Sequence, residues 1–126
     1  MRALGLAIVA AAMLGCGPVA AQDATMGEQL FSRCTVCHDT GAGAQNRVGP
    51  ELNGIVGRRA GSLPGYGYSE ALKQAGIDGL IWTPEALAGY LASPRDFVHG
   101  VAMAFRGFKS DDDIADVVAY LETLKG

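Results

Sequence analysis

The 126-residue chain contains little of what most metal, nucleic-acid and membrane sites require. It has only three cysteines and two histidines, just enough for the four such ligands that one structural zinc site needs. Its 10 Lys and Arg are outnumbered by 13 Asp and Glu, which gives a formal net charge of −3 and argues against nucleic acid as a partner. Internal repeats, low-complexity tracts and linkers are also missing, so we expect one domain.

A hydrophobic run long enough to span a membrane is absent too. The N-terminal run from Ala3 to Leu14 is shorter than the roughly 20 residues of a transmembrane helix. Arg2 before it and the small residues 19–21 after it are typical of a cleaved signal peptide. We therefore predict a signal peptide at 1–21, a single domain at 22–126 and a location in the periplasm.

Cys16 leaves one alternative for the N-terminal segment. It lies in "MLGC", which loosely resembles the lipid-attachment site of bacterial lipoproteins. Lipidation at Cys16 would anchor the protein to a membrane. Without that anchor, we expect contact with membranes only through partner proteins.

The segment "FSRCTVCHDTG" concentrates Cys34, Cys37 and His38 within five positions. A redox disulfide, half of a zinc site and a covalently attached haem each use such a cluster. A Cys34–Cys37 disulfide would close a very small loop and stabilise little, and a thioredoxin-like redox pair lies beside a βαβ unit, for which this chain has almost no strand signal. Zinc would need His99 as its fourth ligand, because Cys16 leaves with the signal peptide.

Haem attachment accounts for every member of this motif. C-x-x-C-H is the signature in which two thiols bond to the vinyl groups of a porphyrin and the adjacent histidine binds its iron. The motif therefore favours haem, although five positions alone leave the other two chemistries open.

The remaining pattern predicts short helices separated by glycine-rich loops. Helical spacing of apolar residues predicts a first helix over 24–36 and a short one at about 69–75. Thr83 followed by proline starts a third, which Pro94 stops, and Ser110 caps the last. Residues 39–68 contain eight glycines and no periodic run, as expected of a segment that wraps a large ligand. The predicted fold class is all-α, with four to five helices around one haem.

A second iron ligand has few candidates. Met26 lies on the helix that delivers His38, so it cannot reach the opposite haem face. Met103 lies in a loop between two predicted helices, where its long side chain could reach an iron or merely fill a gap in the core. His99 is the other candidate. We favour Met103.

Residues 24–126 resemble a class I cytochrome c. The resemblance rests on "GEQLF" before "CTVCH", on "VGPELNGIVGRRAG", on "PGYGYSEA" with a following tryptophan, on "GYLASPRDF" before the methionine loop, and on "AYL". It implies a cytochrome c fold and one covalent haem c per chain. It also implies Cys34 and Cys37 as the attachment residues, with His38 and Met103 as the axial iron ligands.

The resemblance extends to the pocket around the haem. It implies a hydrogen bond between the His38 imidazole and the Pro50 carbonyl, and Tyr90 beside the methionine sulfur. It further implies haem-propionate partners, which are Arg58, Tyr68 and Trp82. In the first helix, Gly27 and Phe31 would pack near Val117 and Tyr120. Val101 and Ala102 depart from the family, because a hydroxyl and a lysine usually occupy these positions.

The function implied is that of an electron carrier rather than an enzyme, because an iron with two protein ligands has no open position for a substrate. Expected partners are a cytochrome bc complex, a terminal oxidase, a photosynthetic reaction centre or a periplasmic dehydrogenase. The alternative is a haem subunit bound permanently to such a dehydrogenase. We expect a monomer. The resemblance places Arg33, Arg47 and Arg95 around the exposed haem edge, with Arg106 close by.

Overall fold

The computed structural model describes residues 22–126, so the predicted signal peptide at 1–21 and the alternative lipid site at Cys16 lie outside the described residues. The described part forms five α-helices: α1 (Ala24–Leu30), α2 (Glu70–Ile77), α3 (Pro84–Ala92), α4 (Pro94–Phe97) and α5 (Asp111–Glu122). None of them is long and apolar enough to cross a membrane. The all-α prediction is confirmed.

The first helix is shorter than the sequence predicted. The Asp23 carboxylate caps α1 by accepting from the Thr25 and Met26 amides, but α-helical geometry ends at Leu30 and a 3₁₀ turn, Phe31–Arg33, follows. The Cys34 amide donates to the Phe31 carbonyl at 2.7 Å, three residues back rather than four. The chain therefore tightens just before the haem motif.

The starts of the other helices follow local rules. Ser69, Thr83 and Ser110 each accept a backbone hydrogen bond from the first turn of α2, α3 and α5, respectively. Pro94 ends α3 as predicted, but it also begins α4, which the sequence did not predict. Proline has no amide hydrogen to lose at the first position of a helix, so both roles fit one residue.

Helices α1 and α5 cross at a glycine. A Cβ on Gly27 would lie 1.9 Å from the Asp116 carbonyl oxygen and 2.9 Å from the Tyr120 Cβ. One turn later, the Phe31 and Tyr120 ring centroids are 5.1 Å apart. The predicted contact of Gly27 and Phe31 with α5 is thus present, with Asp116 rather than Val117 closest to the glycine.

The hydrophobic core is one cluster that joins α3, α5 and the glycine-rich segment. Its most buried members include Val117, Trp82, Leu87 and Phe108. Cys34 and Met103 both pack against it while remaining partly exposed. The side chains of Cys34 and Met103 therefore border the same apolar interior.

Candidate haem-binding site

The C-x-x-C-H motif forms one helical turn. The Cys37 amide donates to the Cys34 carbonyl at 3.0 Å, and the His38 amide donates to the same oxygen at 2.9 Å. Residues three and four apart on a helical turn share a face, so Cys34, Cys37 and His38 project to one side. No disulfide joins these two cysteines, and burial raises the pKa of the Cys34 thiol to about 11.

The imidazole of His38 is fixed by the loop that faces it. Its Nδ1 lies 2.7 Å from the Pro50 carbonyl oxygen, and because a carbonyl can only accept, Nδ1 must carry the hydrogen. Nε2 then keeps its lone pair, which a metal requires. Burial is the main cause that lowers the pKa of His38, the Pro50 hydrogen bond opposes it, and the Arg47 charge lowers it further. The neutral, ligating form is favoured.

Gly49 makes this arrangement sterically possible. A Cβ at this position would lie 2.4 Å from Cε1 of the His38 ring, so only a glycine lets the loop approach the imidazole face. The Gly49 amide also donates to the Cys37 carbonyl at 2.9 Å. Sequence reasoning did not single out Gly49, although its position directly before Pro50 was an available signal.

Arg47 holds the attachment turn from outside. Its Nη2 donates to the Val36 carbonyl at 2.7 Å and to the Thr35 carbonyl at 3.2 Å. These carbonyls lie at the C-terminal end of the helical turn, where a cation is favourable. Arg47 was expected at the rim of the haem edge; the structure adds that its guanidinium is already bound to the backbone of the motif.

Met103 lies beside Tyr90, as the resemblance implied. The Tyr90 hydroxyl donates to the Met103 sulfur at 3.9 Å. Tyr90 is buried in α3, and burial, with a smaller contribution from Tyr66, raises its pKa to about 12, so the hydroxyl keeps the proton that it donates. The contact gives the thioether a defined place in an otherwise irregular segment.

An aromatic cluster supports this tyrosine. The Trp82 and Tyr90 ring centroids are 4.8 Å apart, and Phe97 completes the cluster at 6.4 Å from Trp82 and 6.2 Å from Tyr90. Phe97 also covers Gly89, where a Cβ would meet its ring at 2.8 Å. Sequence reasoning assigned no role to Phe97, because its contacts depend on the turn between α3 and α4.

Arg58 and Tyr68 lie in the glycine-rich segment. Tyr68 accepts a hydrogen bond from the Leu63 amide at 3.2 Å, and burial raises its pKa, while the nearby Arg58 opposes that shift. The guanidinium of Arg58 donates hydrogen bonds to backbone carbonyls and pairs with the Glu51 carboxylate. The predicted propionate roles of Arg58, Tyr68 and Trp82 stay predictions.

His99, the other candidate for an iron ligand, lies on an exposed turn after α4. Nothing in the described residues ties its side chain to the core that Met103 borders.

The chemistry of the donor set fits a haem. Among residues 22–126, no three His, Cys, Asp or Glu side chains converge where they could hold a metal ion, so a zinc site made by these side chains is not supported. A covalent porphyrin with two axial protein ligands needs two thiols, an oriented imidazole and a second donor. The C-x-x-C-H turn supplies the thiols and the imidazole on a single face, and Met103 supplies a thioether that borders the same core.

Comparisons with known proteins agree with this geometry. A family profile described as "Cytochrome c" matches residues 24–125. The chain is 50% identical over 97 residues to a cytochrome c2 of Afifella marina, with 77% of this chain and 78% of that protein covered. It is 42% identical over 127 residues to a cytochrome c2 of Rhodomicrobium vannielii, with 100% of this chain and 99% of that protein covered.

A solved structure resembles the fold as a whole. The structure of cytochrome c2 from Rhodospirillum centenum matches with a TM-score of 0.77 at 36% sequence identity. The match covers 82% of this chain and 99% of that one. The helices and loops described above are therefore arranged as in that protein.

Proposed function

Since the chain belongs to the cytochrome c family, and thus carries electrons on a covalently attached c-type haem, we propose that it is a periplasmic one-electron carrier with His38 and Met103 as axial ligands. One observation carries the ligand assignment. The Pro50 carbonyl fixes the His38 tautomer at 2.7 Å, which leaves Nε2 free to bind iron.

Each of these side chains has a separate task in electron transfer. A haem with two axial protein ligands supplies one-electron chemistry without an open position for a substrate. Cys34 and Cys37 hold the group covalently, the Pro50 hydrogen bond keeps His38 oriented, and burial favours its neutral form. Met103, a weak donor, favours the ferrous state, and Tyr90 holds its sulfur in place. Little rearrangement is needed when the charge changes.

A redox titration of the purified holoprotein tests this function. We expect one reversible one-electron wave, and the oxidised protein should show the weak red absorption band that iron–thioether ligation produces. Absence of the band in the wild type, or ready binding of small ligands to it, would contradict the His38/Met103 pair.

The proposed partners are membrane redox complexes with an acidic docking surface, such as a cytochrome bc complex, a terminal oxidase or a reaction centre. Arg33, Arg95 and Arg106 are exposed, and Arg33 precedes the attachment cysteine directly. Its guanidinium lies 5.6 Å from the centroid of the Phe108 ring, a cation–π contact that holds the charge in place. Asp111 and Asp112 are exposed on the first turn of α5. The docking surface that we propose is thus a small basic rim, formed by these three arginines, on a protein whose net charge is negative.

Arg33→Gln is expected to slow reduction by an acidic partner complex at low salt by about two- to threefold, the effect of one exposed ion pair. Wild-type rates should fall as salt is added, because salt screens the attraction. The measurement is a second-order rate constant over a series of ionic strengths. Arg59→Gln, which removes an exposed arginine outside the proposed rim, is the matched control. Wild-type rates that rise with salt would place docking on the acidic side.

Size-exclusion chromatography of native extracts separates the carrier from the alternative of a permanently bound dehydrogenase subunit. A carrier should elute alone, at the size of a monomer. Co-elution of the haem absorbance with a larger enzyme would favour the subunit.

A further inference from the structure

Glu51 and Arg58 form a partly buried ion pair in the loop that faces His38. The Arg58 Nη2 and Glu51 Oε1 atoms are 3.6 Å apart, and only 11% and 19% of the two side chains are exposed. Charges this far from solvent are screened much less than surface charges. The pair therefore acts on its surroundings more strongly than an exposed salt bridge would.

The geometry of the loop directs Arg58 toward Glu51 and its neighbours. Nη1 of Arg58 donates to the Glu51 carbonyl at 3.0 Å, and Nη2 donates to the Asn53 carbonyl at 2.6 Å. The Glu51 carboxylate accepts from the Asn53 amide at 2.7 Å. The Arg58 guanidinium and the Glu51 carboxylate thus hold the backbone of residues 51–53 in a compact loop.

This loop is connected at one end to His38 and at the other to Trp82, which both belong to the proposed haem pocket. Glu51 follows Pro50, whose carbonyl orients His38. The Arg58 carbonyl accepts from the Trp82 amide at 2.8 Å, which connects the pair to the aromatic cluster around Tyr90. A charge on Glu51 or Arg58 is therefore close to the elements that hold the iron ligands.

We propose that Glu51 is a positioning residue that fixes Arg58 and lowers the reduction potential by offsetting its positive charge. The ferric form carries one more positive charge than the ferrous form, so a nearby cation favours reduction and a nearby anion opposes it. The negative charge of Glu51 therefore offsets the effect of the positive charge of Arg58 on the reduction potential. The proposal rests on the proposed haem ligation and concerns a residue to which that function gives no role.

The test is the midpoint potential of three holoprotein variants. Glu51→Gln should raise the ferrous-to-ferric ratio at a given potential by about threefold, which is roughly 28 mV at 59 mV per tenfold for one electron. Arg58→Gln should shift the potential in the opposite direction. The double variant Glu51→Gln/Arg58→Gln should return close to the wild-type value. Loss of structure alone would not produce opposite shifts that cancel.

Glu122→Gln is the matched control, because it removes an exposed glutamate at the end of α5 and should leave the potential unchanged. If Glu51→Gln changes the potential no more than Glu122→Gln does, or lowers it, the proposal is wrong. This comparison decides the matter even if Arg58→Gln fails to fold. The red absorption band is recorded for every variant: its absence from the wild type would reject the ligand assignment instead.

Discussion

Met103→Ala is expected to abolish the red absorption band of the oxidised protein and to open the iron to added ligands. The wild-type site can accept imidazole only when the methionine loop opens, and minor conformations of this kind are commonly populated at about 1%. Without the thioether the iron is always open to imidazole, so imidazole should bind about 100-fold more tightly. Spectroscopic titration with imidazole measures the change.

Met26→Ala provides the control, because it removes a thioether from α1 whose side chain is 43% exposed. It should retain the band and the wild-type imidazole affinity. Tyr90→Phe should keep the band as well, since it removes only the hydroxyl that contacts the Met103 sulfur. Persistence of the band in Met103→Ala would show that another residue is the distal ligand.

Gly27→Ala is expected to destabilise the fold by about 3 kcal/mol, at the upper end of overpacking effects. The added Cβ would meet the Asp116 carbonyl oxygen at 1.9 Å, and this atom belongs to the backbone of α5, so no side-chain rotation relieves the clash. The helices must separate, which disturbs the Phe31–Tyr120 contact as well. Denaturant unfolding of both proteins in the haem-bound form measures the difference.

Gly67→Ala is the matched control for this substitution, because a Cβ there would meet no atom within 4 Å. We expect its stability to lie within about 0.5 kcal/mol of the wild type, as for most surface changes. Helix propensity alone would favour alanine over glycine in α1 by about 1 kcal/mol. Equal or higher stability of Gly27→Ala would therefore mean that α1 and α5 do not pack as closely as described.

Local sequence rules predicted where most helices begin and end, because a cap or a proline acts through its own backbone neighbours. Thr83 and Ser110 are examples, and both cap the predicted helices. The same rules did not predict α4, since Pro94 can either end or begin a helix and only the packing of Phe97 decides. The first helix was predicted too long for a related reason: the tight turn at Cys34 belongs to the haem motif rather than to helix periodicity.

Long-range contacts of the candidate site were less accessible to sequence reasoning. The C-x-x-C-H motif and the methionine loop were found from the sequence, because spacing and scarcity point to them. The contacts of Arg47 with the attachment turn and of Arg58 with Glu51 were not. The first contact closes a loop in which Gly41 and Gly43 adopt positive φ, and the second a loop in which Gly54 and Gly57 do. No periodicity in the sequence indicates which residues such loops bring together.

The contact between α1 and α5 also determines the order in which the molecule can assemble. The Asp23 amide donates to the Asp116 carboxylate at 2.8 Å across 93 positions of sequence, and the Gly27 crossing lies beside it. Chain closure over such a separation requires α5 to be present, and in a chain made from its N-terminus α5 appears after all the other described helices. The packing of α1 against α5 can therefore form only after the segments between the two helices have been made.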